Sequence, residues 1–455
     1  MRYAGQLGTA SGGRLACNSP GRSVAGGSAI ARSQVRRRVG EFLSHGVFSM
    51  ATQTELRRAI SLPFLTFYGL GTILGAGIYV LVGKVADVAG MYTPLAFVIA
   101  ALLAVLTGLS YTELAARFPK SAGQAVYVER GLGVRALALL VGWLVVAIAI
   151  VSGSAIVNGF VGYLSVFVSI ERGQVLTILV LALGALAAWG IRESVAAASV
   201  ITLIEVAGLL LIIIVAAPAL AALPARLDEL VPPADAQVWQ SILLGAFLAF
   251  YAFIGFEDIV TAAEEVPDPV RTLPSAILIA IALSTALYLG VARVAVFAVT
   301  PHELAASDAP LALVYERATG GTPALIGAIS LCAVVNGALV QIILASRMLY
   351  GMSREGWHYA GFGRVHPRTR TPLLATAAVT AALLFLALWF PLVTLATAAS
   401  FMVLVLFVLM NWSLVRIKRR DPHPGVRTVP MWVPVAGLLT TSTFVAFQFY
   451  QLVRS

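Results

Sequence analysis

Charge is scarce in this sequence. Asp, Glu, Lys and Arg make up 11% of its 455 residues, against about a quarter in soluble domains, so water is not the main solvent for most of the chain. Cysteine is scarcer: Cys17 and Cys332 stand alone, too few for a disulfide framework. Cys332 lies in an apolar run and is expected to pack as a small residue. The five histidines, at 45, 302, 358, 366 and 423, fall between apolar runs or in the amino-terminal tail. Their spacing fits no metal ligand set, so neither a metal nor another cofactor is expected. No nucleophile–base pair of the kind an enzyme needs is evident. The net charge of +10 would suit nucleic acid, but the charges sit in short loops between apolar segments, as orientation signals do.

What is abundant is apolar sequence, with 59% hydrophobic residues and a mean hydropathy of +0.91. Eleven runs read as membrane spans: 62–86, 93–115, 136–168, 174–190, 195–219, 240–263, 274–298, 321–349, 372–390, 392–415 and 429–450. Each is long enough to cross a hydrocarbon core of roughly 30 Å. Lipid offers the backbone no hydrogen-bond partner, so such runs are helices or closed-barrel strands, and these are far too long for strands. With the amino terminus inside, inner loops carry fifteen lysines and arginines between Arg117 and Arg427. Outer loops carry four, Lys84, Arg172, Arg226 and Arg317. That bias predicts a multi-pass protein of a cell (inner or plasma) membrane with a cytoplasmic amino terminus.

Residues 1–55 differ from the membrane domain at 56–455. They are rich in Gly, Ser, Ala and Arg, contain Arg36-Arg37-Arg38 and have no signal-peptide core. A disordered tail, sequence upstream of a start at Met50, and a transit-like segment all fit this composition.

Two spans are interrupted. Gly69, Gly71, Gly75 and Gly77 break the first, and Gly255 with Glu257 and Asp258 breaks the sixth. Clustered glycine lets a backbone leave helical geometry. A broken helix exposes N–H groups at the start of its second half and C=O groups at the end of its first. The former favour a carboxylate and the latter an ammonium, so paired breaks suit a zwitterion. Glycine in a membrane helix can equally serve close packing, but breaks at matching places in two halves point to a transporter binding site.

Gly71-Thr72-Ile73-Leu74-Gly75-Ala76-Gly77-Ile78-Tyr79 resembles the first-helix signature of the amino acid–polyamine–organocation superfamily. Ala249 to Glu257, followed by Glu264-Glu265-Val266-Pro267 through Pro274, resembles its sixth helix and following loop. Glu113 to Gly123 and Arg347 to Gly356, ending at His366-Pro367, resemble two further loops. The resemblance runs from about Leu62 to the carboxyl terminus. It implies an all-α membrane protein with a LeuT-type 5+5 inverted repeat, repeat one at about 62–219, repeat two at about 240–415, and an extra helix at about 429–450. It also implies alternating-access transport of an amino acid. Gly75, Ala76 and Gly77, with Ile78 beside them, would hold the substrate carboxylate. Phe253, Ile254 and Gly255 would offer carbonyls to its ammonium, with Tyr251 packed over it. Symport with protons, exchange of amino acids or amines, and a non-transporting sensor on the same fold are all compatible with these motifs. No obligate protein partner is implied; membrane lipid is. Cationic carriers of this family often place an acidic–aromatic pair in the third helix, where this chain reads Ala147 to Ser154; this weakens the case for a cationic substrate.

Ionisable groups inside spans are costly and usually functional. Glu205 stands about ten residues into the fifth span, where proton-coupled relatives often carry a lysine; with Glu257 it is a candidate to carry a coupled proton. Glu113 is expected to be solvated at the inner end of its span. Glu264 and Glu265 are expected either to pair with loop arginines or to be solvated. Ser152, Ser154, Asn158 and Asn336 could line the site or bond neighbouring helices.

Overall fold

Backbone groups placed in lipid must be bonded within the protein, and the described residues meet that demand with helices and no strand. The computed structural model describes residues 60–75, 77–120, 123–189, 195–354, 360–421 and 425–454, all within one compact unit, Arg57–Ser455. The tail and the alternative start at Met50 lie outside the described residues. The first span is two helices, α1 (Leu62–Leu74) and α2 (Gly77–Ala89), followed by α3 (Thr93–Arg117), the short α4 (Gly123–Leu132), α5 (Arg135–Leu164), α6 (Arg172–Trp189) and α7 (Val195–Ala216). The second half holds α8 (Ala236–Phe250), α9 (Pro269–Ala298), the short α10 (Pro301–Ala306) and α11 (Pro310–Thr319), then α12 (Ala324–Arg354), α13 (Leu373–Trp389), α14 (Leu392–Arg420) and α15 (Trp432–Arg454). Proline opens α1, α3, α9 and α11, where its missing N–H costs nothing and its fixed φ suits the first turn.

Among the described residues, nine helical stretches are long and apolar enough to cross a membrane. This differs from the eleven spans for two reasons. Leu62–Arg117 is one stretch of 56 residues, because α2 meets α3 through a single 3-10 turn at Gly90–Tyr92, with Gly90 at φ 56°; both of the first two spans lie within it. Leu373–Trp389 is apolar but has only 17 residues, about 26 Å of helix.

The outward faces are apolar. Ile178 is 69% exposed, Ile214 68% and Leu102 55%, a surface fitted to lipid and a liability in water. Cys332 belongs to this surface: it is exposed on α12 rather than packed, contrary to expectation. Inside, small residues let helices approach closely. A Cβ on Gly108 of α3 would lie 2.3 Å from Ile281 of α9, and one on Gly153 of α5 would lie 2.7 Å from Leu383 of α13. Within an apolar 18-residue window, the stretch Ala236–Glu265 is 89% buried, whereas the corresponding windows of the other eight range from 22% to 61%. The interrupted sixth span is therefore the centre of the packing.

Candidate functional site

The first break begins where α1 stops. Gly75 closes the helix at φ 16°, ψ −112°, its N–H donating to Gly71 O at 3.1 Å, and α2 resumes at Gly77. Ala76 lies outside the described residues. The second break is longer. After α8 come a 3-10 turn at Tyr251–Phe253, extended Ile254, Gly255 at φ 124°, and a 3-10 helix from Phe256 to Glu265. Gly255 is required twice over: its φ is one that side chains rarely adopt, and a Cβ there would stand 2.5 Å from Thr72 O.

These two breaks lie against each other, backbone to backbone. A Cβ on Gly77 would come within 2.6 Å of Ala252 Cα, whereas one on Gly75 would meet nothing nearer than 3.7 Å. Thr72 Oγ1 lies 3.0 Å from Gly255 O and 2.8 Å from Gly69 O. The Tyr288 hydroxyl, on α9, lies 2.9 Å from Ile73 O and 2.8 Å from Ala252 O. Each hydroxyl has one proton and donates to one carbonyl at a time, so each can exchange partners across the breaks. The resemblance-based assignments are thereby differentiated. The backbone at Gly77 packs against Ala252, while Gly75 has room beside it. Gly255 O accepts from Thr72 Oγ1 and from Asp258 N–H at 3.1 Å. Glu257, buried, accepts the Gly255 N–H at 2.9 Å and so caps the break itself. Ile78, Phe253 and Ile254 are buried alongside, and the Phe253 ring meets Tyr288 edge-on at 5.1 Å.

Tyr251 is buried and its hydroxyl donates to Ser152 O of α5 at 2.9 Å; the Ser152 hydroxyl has no partner among the described residues. Beside Ile254 is a cavity of about 10 Å³ lined by Gln124, Glu257, Asp258 and Gln341, room for a single water. Gln124 Oε1, buried there, has no hydrogen-bond partner among the described residues. Ser154 and Asn158 are committed to packing, donating to Leu383 O and Ala387 O of α13 at 3.0 and 3.3 Å.

Glu205, on α7, is fully buried beside the first break. Asn336 Nδ2 of α12 donates to its Oε1 at 3.3 Å, and Oε2 has no partner among the described residues. Its backbone carbonyl accepts the Tyr79 hydroxyl at 2.7 Å, and Tyr79 O accepts the Tyr163 hydroxyl. A chain of hydroxyls thus ties α5, α2 and α7. The tyrosines Tyr79, Tyr163 and Tyr288 escaped sequence reading as site residues; their signal was a phenol in an apolar span, which must find a partner when buried.

Glu113 overturns its expectation. It is buried, not solvated. Lys418 Nζ of α14 donates to its two oxygens at 3.0 and 2.8 Å, Arg117 to Oε1 at 2.7 Å, and Val429 N–H to Oε2 at 2.8 Å. Arg117 continues to the Asp421 carbonyl at 3.0 Å. Glu264 is exposed and Glu265 half-buried, and neither forms an ion pair with an arginine among the described residues.

At the opposite end of α3 a cavity of about 340 Å³ opens among α2, α5, α6, α13 and α14. Lys84, Arg172 and Asp308 line it, with Asn158, Trp389 and Phe390. The segment carrying Asp308 is ordered by a capping box at Thr300–Glu303. Hydrogen bonds from Arg317 and Thr300 hold the exposed Glu303 carboxyl down at about 2, so this restraint is complete above the ordinary carboxylate range and is lost only as pH falls through about 2.

The profile of a family described as amino acid permease matches residues 60–455. The chain is 29% identical over 409 residues to a branched-chain amino acid permease of Bacillus subtilis, covering 83% of this chain and 86% of that protein. It is 33% identical over 390 residues to an uncharacterized transporter of Mycobacterium tuberculosis, covering 85% of each. Human cationic amino acid transporter 4 is 28% identical over 393 residues, which span 82% of this chain and 61% of that longer protein.

Proposed function

Because the chain belongs to the amino acid permease family and is a multi-pass membrane transporter of amino acids, we propose that it performs proton-coupled symport by alternating access around the paired helix breaks. The substrate carboxylate is held by the backbone at Gly75, Ala76 and Gly77, with Ile78 beside them; Gly75 has room beside it. The ammonium is met by the carbonyls of Phe253 and Ile254, since that of Gly255 is already engaged. Tyr251 closes over the substrate as a ring held from α5. The amino terminus and the Glu113–Lys418 end face the cytoplasm of a cell membrane, and the Lys84–Arg172 end faces outward, in keeping with the bias of basic residues. The two five-helix halves correspond to the inverted repeats.

The observation that carries the coupling is Glu205. Its carboxyl stands about 15 Å into α7, fully buried beside the first break, with one oxygen hydrogen-bonded to Asn336 and the other without a partner among the described residues. An ionised carboxylate there has too few partners to offset its lost hydration, whereas a protonated one does not need them. Proton loading and release at Glu205 therefore follow its access to either side. Glu257 is a second proton carrier, its oxygen retaining the Gly255 N–H in either state.

Uptake into proteoliposomes tests this reading. Wild-type uptake is expected to follow an imposed proton gradient and to ignore sodium, and Glu205→Gln, fixed as the protonated form, is expected to equilibrate substrate without concentrating it. Uptake driven by sodium alone would refute the mechanism. Uptake that requires internal amino acid would assign exchange instead, and binding without flux would assign a sensor.

A further inference from the structure

The cavity at the Lys84–Arg172 end is not part of the paired breaks, yet it is built to receive a ligand. Its volume of about 340 Å³ is within the range of small-molecule sites, roughly 300–1,000 Å³. Its charged groups come from three separate elements: Lys84 from α2, Arg172 from the start of α6, and Asp308 from the segment between α10 and α11. Lys84 Nζ spends one donor on Ala305 O at 2.9 Å. Arg172 uses Nη2 on Asn158 Oδ1 at 2.6 Å and Ala387 O at 2.9 Å. Those bonds fix the guanidinium and occupy Nη2, while Nε and Nη1 make no hydrogen bond among the described residues and remain as separate charged donors, each suited to a single carboxylate oxygen. Asp308 supplies the opposite charge for an ammonium. Trp389, Phe390 and Leu392 supply an apolar wall on another side.

We propose that this cavity is a second, outer binding site for an α-amino acid with a neutral, apolar side chain, its carboxylate on Arg172 and Lys84, its ammonium on Asp308 and its side chain on the Trp389–Leu392 wall. The site rests on the reading that the chain transports amino acids through the breaks, and it specifies which ones reach them. Two fixed cations against one anion favour the carboxylate and repel a basic side chain, which is selectivity by repulsion. The site also lies on the way in. Val80, in its lining, is three residues beyond Gly77, about 4.5 Å along α2. A molecule held here is one helical turn from the first break.

The test is equilibrium dialysis of labelled L-leucine against the purified full chain in lipid nanodiscs, beside leucine uptake by the same preparation in proteoliposomes. Two leucines per wild-type chain are expected, one per Lys84→Met or Asp308→Asn chain, and one per Tyr251→Ala chain, where the remaining molecule is the one that depends on Lys84. Arg172→Gln is expected to match Lys84→Met; because Arg172 also braces α5 and α13, the other two variants, on different elements, carry the decision. Neither leucine methyl ester, which lacks the carboxylate, nor L-arginine is expected to displace the Lys84-dependent leucine. Equal stoichiometry in wild type and both decisive variants, or displacement by the ester, overturns the site. One leucine per wild-type chain with active uptake overturns the site and leaves transport standing. Two per chain without uptake establishes the site and removes the transport reading.

Discussion

Gly75 and Gly77 are two residues apart and do different things. A methyl group on Gly77 collides with the Ala252 backbone, whereas one on Gly75 reaches only ordinary contact distance. Gly77→Ala is therefore expected to destabilise the fold by about 1–3 kcal/mol, the usual cost of overpacking, and to lower the thermal midpoint in detergent. Gly75→Ala is expected to fold with little change while its KM for uptake rises. A Gly77→Ala protein of normal thermal stability would contradict the backbone contact. At the other end of the protein, Glu113 is surrounded by Lys418, Arg117 and the Val429 N–H. Glu113→Gln leaves the buried Lys418 without its counter-charge and Arg117 with only the exposed Asp421 carboxylate at 3.4 Å, a change that costs about 3–5 kcal/mol; a sharp loss of folded protein is expected, read by size-exclusion yield and thermal midpoint. A solvated glutamate would show neither. The error of reading Glu113 as solvated is instructive. Its partner Lys418 is 305 residues away, and a charge at the end of an apolar run carries no mark of what folds over it.

At the scale of elements, the two interrupted spans are joined by hydroxyls instead of side-chain packing alone. Tyr288 can bond either Ile73 O or Ala252 O, and Tyr288→Phe is expected to cost about 0.5–1.5 kcal/mol and to slow transport more than that stability loss alone explains, measured as turnover at saturating substrate. Unchanged turnover would confine the hydroxyl to a packing role. Tyr251 separates ring from hydroxyl: Tyr251→Phe forfeits one hydrogen bond to Ser152 and is expected to keep most uptake, whereas Tyr251→Ala opens the space of a buried ring and is expected to lose it. Equal losses in the two variants would assign the role to the hydroxyl. The spans and their breaks were legible in the sequence because lipid enforces long apolar runs and glycine marks departures from helix. What the breaks touch was not legible. Nothing in the sequence marks Ala252 as the backbone that lies against Gly77, or the Gly255 N–H as a donor to the Glu257 carboxyl.

For the whole molecule, the membrane domain needs nothing from the first 49 residues that their composition could supply, for they hold no apolar run from which to build a span. A chain beginning at Met50 is expected to insert and to transport as the full chain does, measured by membrane fractionation and uptake; loss of insertion would give the tail a part in assembly. That shortened chain also loses Cys17 and retains a single thiol, Cys332, exposed on the outward face of α12. A fluorophore attached there would report its depth in the bilayer through quenching by lipids brominated at known positions along the acyl chain. The protein thus carries its own spectroscopic ruler, at a position where no residue of either break or of the outer cavity has to be altered to use it.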